Sequence, residues 1–252
     1  MTTELNPCNY PFERIPGSFV YDPKALCDNR ISVPKDSEIK EAISNQERFA
    51  SLAYGSNASP QQLDNKFGPD DQKDLIYGVK VILKNYDVVY GAHISQNGYI
   101  PATLELSPST EVNCHILLLT CEQREVLDES EHYVSDGNPK NTYNRKKISS
   151  ELIECDFNFN EIDTYFLNNG PLYAGGKPVA LTAITAPSGR IWPDKTEKEL
   201  LSFLAKRENL SCDAFVEKLK KPKVDKAAIK EAKKYREKIK KQLKSLPEFL
   251  TV

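Results

Sequence analysis

Between residues 75 and 119 four stretches rich in Val, Ile, Leu and Tyr follow one another, at 75–83, 86–95, 102–106 and 112–119, with no helical pattern among them. Such residues suit a pleated, half-buried surface. Asn85-Tyr86, Asn97-Gly98 and Ser107-Pro108-Ser109 between them supply turn chemistry. A chain with this centre must build a meandering, curved sheet and leave its helices to the flanks. Residues 48–54 (RFASLAY) read as a further, buried strand, and 151–157, 162–167 and 178–185 as others. The expected fold class is therefore α+β, a small bent sheet or barrel with edge helices.

The helix starts are written in their caps. Ser59 precedes Pro60 at a first helical position, with Gln62 three residues after the cap, and Thr120 to Gln123 and Thr196 to Glu199 repeat that spacing. Another helix is expected from Ser211. The last one carries Val224, Ala228, Ala232, Tyr235, Ile239, Leu243 and Leu246 three or four residues apart, a single apolar stripe with Lys on the other faces. These signals divide the chain into an irregular, Pro-containing N-terminal arm (1–46) with a short helix around 37–46, a central domain (47–195) and a basic helical C-terminal extension (196–252).

Charge follows the same division. Residues 206–244 hold 15 Lys/Arg against 6 Asp/Glu, leaving 19 against 30 in the rest, so an acidic body carries a basic tail. No nucleic-acid motif accompanies the lysines, and Tyr235 lies on the apolar stripe. The tail reads as the solvated face of a docking helix, and nucleic acid is not an expected partner. The six cysteines form no CxxC pair and the three histidines share no helical ligand spacing, so neither a metal nor another cofactor is expected. No stretch of about 18 apolar residues stands free of charge, and the start lacks the basic-then-apolar order of a signal peptide. The expectation is a cytoplasmic protein with no membrane partner; the oligomeric state stays open.

Residues 48–54 run straight into Tyr54-Gly55-Ser56-Asn57 and then into the helix start at Ser59. A turn of that kind between strand and helix presents successive backbone N–H groups, which suits an anion or oxyanion. An ordinary strand-to-helix turn has the same composition.

Tyr54-Gly55-Ser56-Asn57 after an apolar strand resembles the Y-G-S-N signature of the gamma-glutamyl cyclotransferase-like superfamily. Leu127-Asp128-Glu129-Ser130-Glu131 is similar to that family's L-D-x-x-E segment, and Pro101-Ala102-Thr103-Leu104 lies between them in the family's order. The match spans about residues 48–133. Gly170-Pro171-Leu172 and Lys177-Pro178-Val179-Ala180-Leu181 resemble a longer bacterial branch and carry it to about residue 195. Two positions depart from the pattern: His132 stands where the family has Gly after its Glu, and Asn113-Cys114-His115 replaces a small residue.

The resemblance implies a gamma-glutamyl cyclotransferase fold and an enzyme that closes a gamma-glutamyl amide or amine to 5-oxoproline, releasing the amine. It also implies Glu131 as general acid/base, with Tyr54, Gly55, Ser56 and Asn57 binding the small-molecule substrate. His93 and Tyr133 are added as candidate pocket residues; a lone strand His is more often a satisfied structural residue, and Tyr133 reads equally as a packing aromatic. An apolar, part-buried setting that raises the proton affinity of Glu131 is expected, and Gly55 is expected to serve any positive φ in the turn. The alternatives are a non-catalytic member of the fold that binds a small carboxylate or a protein, and an adaptor acting through the basic helices.

Overall fold

The computed structural model describes residues 5–25, 29–68, 74–222, 224–244, 246 and 247. The first half of the described chain runs β1 (Phe19–Tyr21), β2 (Ile31–Ser32), α1 (Asp36–Ser44), β3 (Phe49–Ala53), α2 (Pro60–Phe67), β4 (Ile76–Tyr90), β5 (Ala102–Leu119) and α3 (Cys121–Ser130). There follow β6 (Tyr143–Ile148), β7 (Ile153–Glu154), β8 (Ile162–Leu167), β9 (Tyr173–Ala174), β10 (Lys177–Pro178), β11 (Ala180–Leu181) and β12 (Asp194–Lys195). The chain closes with α4 (Glu197–Arg207), α5 (Cys212–Leu219) and α6 (Lys226–Leu243).

The fold is α+β, as the sequence implies. Its main sheet runs β12-β11-β4-β5-β3-β8-β6, with β1 and β7 also paired to β4 and β2 to β1. Among the described residues β12 and β6 at the two ends of that path do not pair, so the sheet is bent and open; the barrel alternative is not realised. β3 and β8 run parallel, as do β11 and β12, and the other ladders are antiparallel.

Four expected central strands are in fact two long ones. β4 stays paired with β5 from Tyr77–Leu118 to Tyr90–Ala102, and the register shifts between Lys84 and Tyr86. Asn85 and Ser109, both with positive φ (60° and 66°), sit at this irregularity, and the Asn85 carboxamide accepts the Ser109 N–H at 3.1 Å. Ser107 and Thr110 are buried, 2.7 Å apart through their hydroxyls, and Thr110 also donates to the Gly189 carbonyl. The turn residues therefore satisfy one another inside a bulge, which bends both strands without reversing either.

The short strands β2, β9 and β12 were not legible, nor were β6 and β1. β6, Tyr-Asn-Arg-Lys-Lys-Ile, is polar at its centre because it pairs on one side with β8 and presents charges outward. β1 lies inside the arm and joins the sheet through Phe19–Gly78. The strand expected over 151–157 is reduced to β7, and that over 178–185 to β11.

Period-two alternation sends side chains to both faces of the sheet. Leu52, Ile116 and Leu118 join one core with α1, α4, α5 and α6, while Ala53, Leu117 and Leu119 join a second with α2 and α3. The caps at Thr120 and Thr196 are reciprocal boxes with Gln123 and Glu199. Ser59 occupies the N-cap of α2 with Pro60 next, but its hydroxyl makes no cap bond and is buried without a partner. On α6, Ile239 and Leu243 are fully buried in the first core, at ~1.5–3 kcal/mol for each such side chain, while Leu246, assigned to the same stripe, lies beyond the helix and is buried beside Ala174. Val224, assigned to the stripe from its spacing, precedes the helix and is exposed.

Candidate functional site

The last residues of β3 are held by β5 on one side and β8 on the other, so Tyr54 emerges from the sheet at a fixed place. Gly55 follows, Ser56–Ala58 form one 3-10 turn, and α2 begins at Pro60. Ser59 N–H donates to the Ser56 carbonyl at 2.9 Å and Ala58 N–H to the Gly55 carbonyl at 3.4 Å. Among the described residues, the N–H groups of Gly55, Ser56 and Asn57 have no hydrogen-bond acceptor within the chain. Three successive amides left over by the fold are what an oxyanion or carboxylate needs.

Gly55 is required by space rather than by conformation. Its φ is −106°, outside the left-handed region that the sequence allowed for. A Cβ there would lie 3.0 Å from the Tyr10 hydroxyl and 3.4 Å from Ala102 Cβ. That hydroxyl accepts the Ala102 N–H at 2.8 Å, Tyr143 donates to the Ala102 carbonyl at 2.9 Å, and Tyr10 stacks on Tyr99 with ring centroids 4.5 Å apart. Tyr54 donates to the Tyr165 carbonyl. An aromatic wall thus backs the turn, and Tyr10 and Tyr99 within it carried no sequence signal.

Glu131 is the C-cap of α3, its N–H donating to the Leu127 carbonyl at 3.0 Å. Asn57 Nδ2 donates to Glu131 Oε1 at 3.0 Å, so the turn and the carboxylate, 74 residues apart, meet directly. Lys66 Nζ donates both to Asn57 Oδ1 (2.6 Å) and to Glu131 Oε1 (3.1 Å). The Lys66 and Glu131 side chains are 10% and 14% exposed. Glu131 is part-buried as expected, but its setting is a cation and an amide rather than an apolar pocket. Burial first, and the nearby Glu131 carboxylate next, push the Tyr54 and Tyr99 phenols above their ordinary range.

His132 has φ +50° and is exposed. It occupies the left-handed position after a helix that glycine fills without a Cβ penalty. Its side chain is exposed while its backbone takes a conformation that glycine adopts without strain. Replacing His132 by Gly should stabilise the protein by about 1 kcal/mol in urea denaturation; an unchanged or lower midpoint would show that the imidazole makes a compensating contact.

The other two candidates face different partners. Tyr133 donates to Asp136 Oδ1 at 2.8 Å and lies under the Arg145 guanidinium, 4.8 Å from its ring centroid. Arg145 in turn pairs with Asp128, which accepts from Tyr165 at 2.6 Å. His93 Nδ1 faces Asn169 Nδ2 at 3.4 Å, and burial followed by the Lys240 charge on α6 lowers its pKa to about 4. Among the described residues no group of three or more His, Cys, Asp or Glu side chains stands together as metal ligands would. No helix there is long and apolar enough to cross a membrane.

The segment behind the aromatic wall rests on a buried acid. Glu197, at the first position of α4, accepts the Ile100 N–H at 2.7 Å, and its second oxygen is buried without a partner. Burial pushes its pKa well above the ordinary value. The folded protein therefore holds a proton that the unfolded chain releases above about pH 4.5, so stability falls as pH rises through that value. Glu197→Gln keeps the acceptor and removes the titration. Its stability advantage over wild type should widen as pH rises above about 4.5 in urea denaturation; a constant gap would contradict a protonated Glu197.

No family model and no curated protein matches the chain. Among solved structures, one described as a gamma-glutamyl cyclotransferase matches 75% of this chain and 99% of its own at 19% identity, with a TM-score of 0.39. An uncharacterized protein from Homo sapiens matches the same shares at 19% identity and a TM-score of 0.40. At that distance, what this chain does must be read from its own residues.

Proposed function

We propose that the chain is a gamma-glutamyl cyclotransferase-like enzyme that converts a gamma-glutamyl amide or amine to 5-oxoproline and the free amine. The observation that carries this is the junction of Glu131 with Asn57, beside three turn amides without acceptors. In such a substrate the α-amino nitrogen can reach the γ-carbonyl carbon, so ring closure is intramolecular and little further entropy is lost. The turn amides of Gly55, Ser56 and Asn57 hold either the α-carboxylate or the oxygen that becomes negative as the new C–N bond forms. Glu131 takes the proton from the attacking nitrogen and delivers it to the departing amine as the old C–N bond breaks. Asn57 and Lys66 fix the direction of the carboxylate.

A second reading, a non-catalytic member of the fold that binds a small carboxylate, is favoured by the Tyr10 hydroxyl against Gly55 and by the Lys66 ammonium already on Glu131. The experiment that separates them is a panel of gamma-glutamyl amino acids, peptides and amines, followed by mass spectrometry of 5-oxoproline, with binding measured in parallel by calorimetry. Release from at least one compound is expected. Binding without release across the panel would replace the enzyme by the binder.

A further inference from the structure

Arg14 reaches from the N-terminal arm to the end of β3, where its Nη1 donates to the Tyr54 carbonyl at 3.1 Å and its Nη2 to the Ala53 carbonyl at 3.5 Å. Nη2 also faces His115 Nδ1 at 3.5 Å, and His115 Nε2 meets the Gly17 carbonyl at 3.0 Å. A carbonyl can only accept, so Nε2 carries the proton and Nδ1 is free to accept from Arg14. Burial first, and the Arg14 charge next, lower the His115 pKa to about 4, so the ring is neutral above that pH. The histidine that departs from the family pattern on β5 thus seats the guanidinium. Among the described residues no Asp or Glu pairs with Arg14, and its Nε is buried without a partner. Burial lowers its pKa from the usual value, yet a guanidinium keeps its proton.

The carbonyl that Arg14 holds belongs to the Tyr54–Gly55 peptide, whose N–H is the first of the three turn amides without an acceptor. That peptide is trans, so its oxygen and its N–H point in opposite directions in one plane. The cation pulls on one end while the other end is the donor that the turn offers. A hydrogen bond from an ionised donor is about twice as strong as a neutral one, and hydrogen bonds in a chain polarise one another.

We propose that Arg14 is a positioning residue of the turn site, whose guanidinium acts through the Tyr54–Gly55 peptide to strengthen the Gly55 N–H as a donor to a carboxylate or oxyanion. It rests on the turn being the anion site proposed above, and holds for the enzyme and the binder alike. Arg14 itself touches neither the substrate nor Glu131. An anion bound at the turn supplies the counter-charge that the fold leaves out beside Arg14.

The test records amide NMR spectra of isotope-labelled wild type, Arg14→Gln and Arg14→Lys, with circular dichroism to establish that each is folded, and then measures 5-oxoproline affinity by calorimetry and turnover of the best compound of the panel. In Arg14→Gln the Gly55 amide proton should move upfield, further than those of Ser56 and Asn57. Affinity for 5-oxoproline should fall about tenfold if that amide holds the carboxylate, or kcat by as much if it holds the oxyanion, the difference between a charged and a neutral hydrogen bond. Arg14→Lys keeps the charge and should lose less on every readout. In wild type, which needs no variant to fold, 5-oxoproline should move the Gly55 amide proton downfield more than any other amide of the turn. A Gly55 amide unmoved in folded Arg14→Gln, equal losses in the two variants, affinity and kcat both unchanged, or a larger response to 5-oxoproline elsewhere in the turn would each overturn the proposal. A wild type that releases 5-oxoproline from no compound would sink the enzyme reading alone, and the Gly55 shifts and 5-oxoproline affinities would still decide the role of Arg14.

Discussion

Gly55→Val should destabilise the protein by about 2–6 kcal/mol and abolish binding at the turn. Its Cβ alone comes within 3.0 Å of the Tyr10 hydroxyl, and two further methyls have Ala102 and the aromatic wall before them. Overpacking of this kind costs about 1–3 kcal/mol. Displacing Tyr10 also leaves the buried Ala102 N–H without its acceptor, a further ~1–3 kcal/mol. The mechanism is steric, because the Tyr10 hydroxyl and Ala102 Cβ stand where a Cβ would go. Gly55→Ala should therefore cost measurably less in a Tyr10→Phe background than in wild type, by urea denaturation of all four proteins. A Gly55→Val protein within about 0.5 kcal/mol of wild type would contradict the close approach.

What was legible in the sequence was local. The caps at Thr120, Thr196 and Ser211 hold because a helix start is decided within four residues, and β8 falls where its apolar alternation places it. The turn after β3 was legible for the same reason. The bent strands were misread because Asn85 and Ser107-Pro108-Ser109 are turn residues whether the chain reverses or bulges, and only the partner strand decides. β6 was lost because a strand with charges along its centre gives no apolar signal.

At the site, residues supplied by neighbouring elements were the ones missed. Tyr10 arrives from an arm with no periodicity, and its value lies in a contact 92 residues away at Ala102. Lys66 had a weak signal: the Ser59-Pro60 start places it one turn beyond Gln62 on the same face of α2, and Gln62 is buried. Nothing in the spacing says that this face looks toward Glu131. Tyr133 read equally as a pocket wall or a packing aromatic; its ring packs against the second core and lies under Arg145, and its hydroxyl donates to Asp136.

The central claim is that Glu131 moves the proton. Glu131→Gln preserves shape, still accepts from Asn57 and Lys66, and loses only basicity, so turnover should fall by about a thousandfold while the fold and substrate affinity stay close to wild type. The loss of the charge beside Lys66 is the one structural penalty, and circular dichroism with a urea titration separates it from the catalytic effect. The direct measurement is single-turnover release of 5-oxoproline from the best compound of the panel, wild type against Glu131→Gln, with the dissociation constant of each determined by calorimetry. A rate down about a thousandfold at unchanged affinity is the predicted result; a wild-type rate in Glu131→Gln would contradict it and place the base elsewhere.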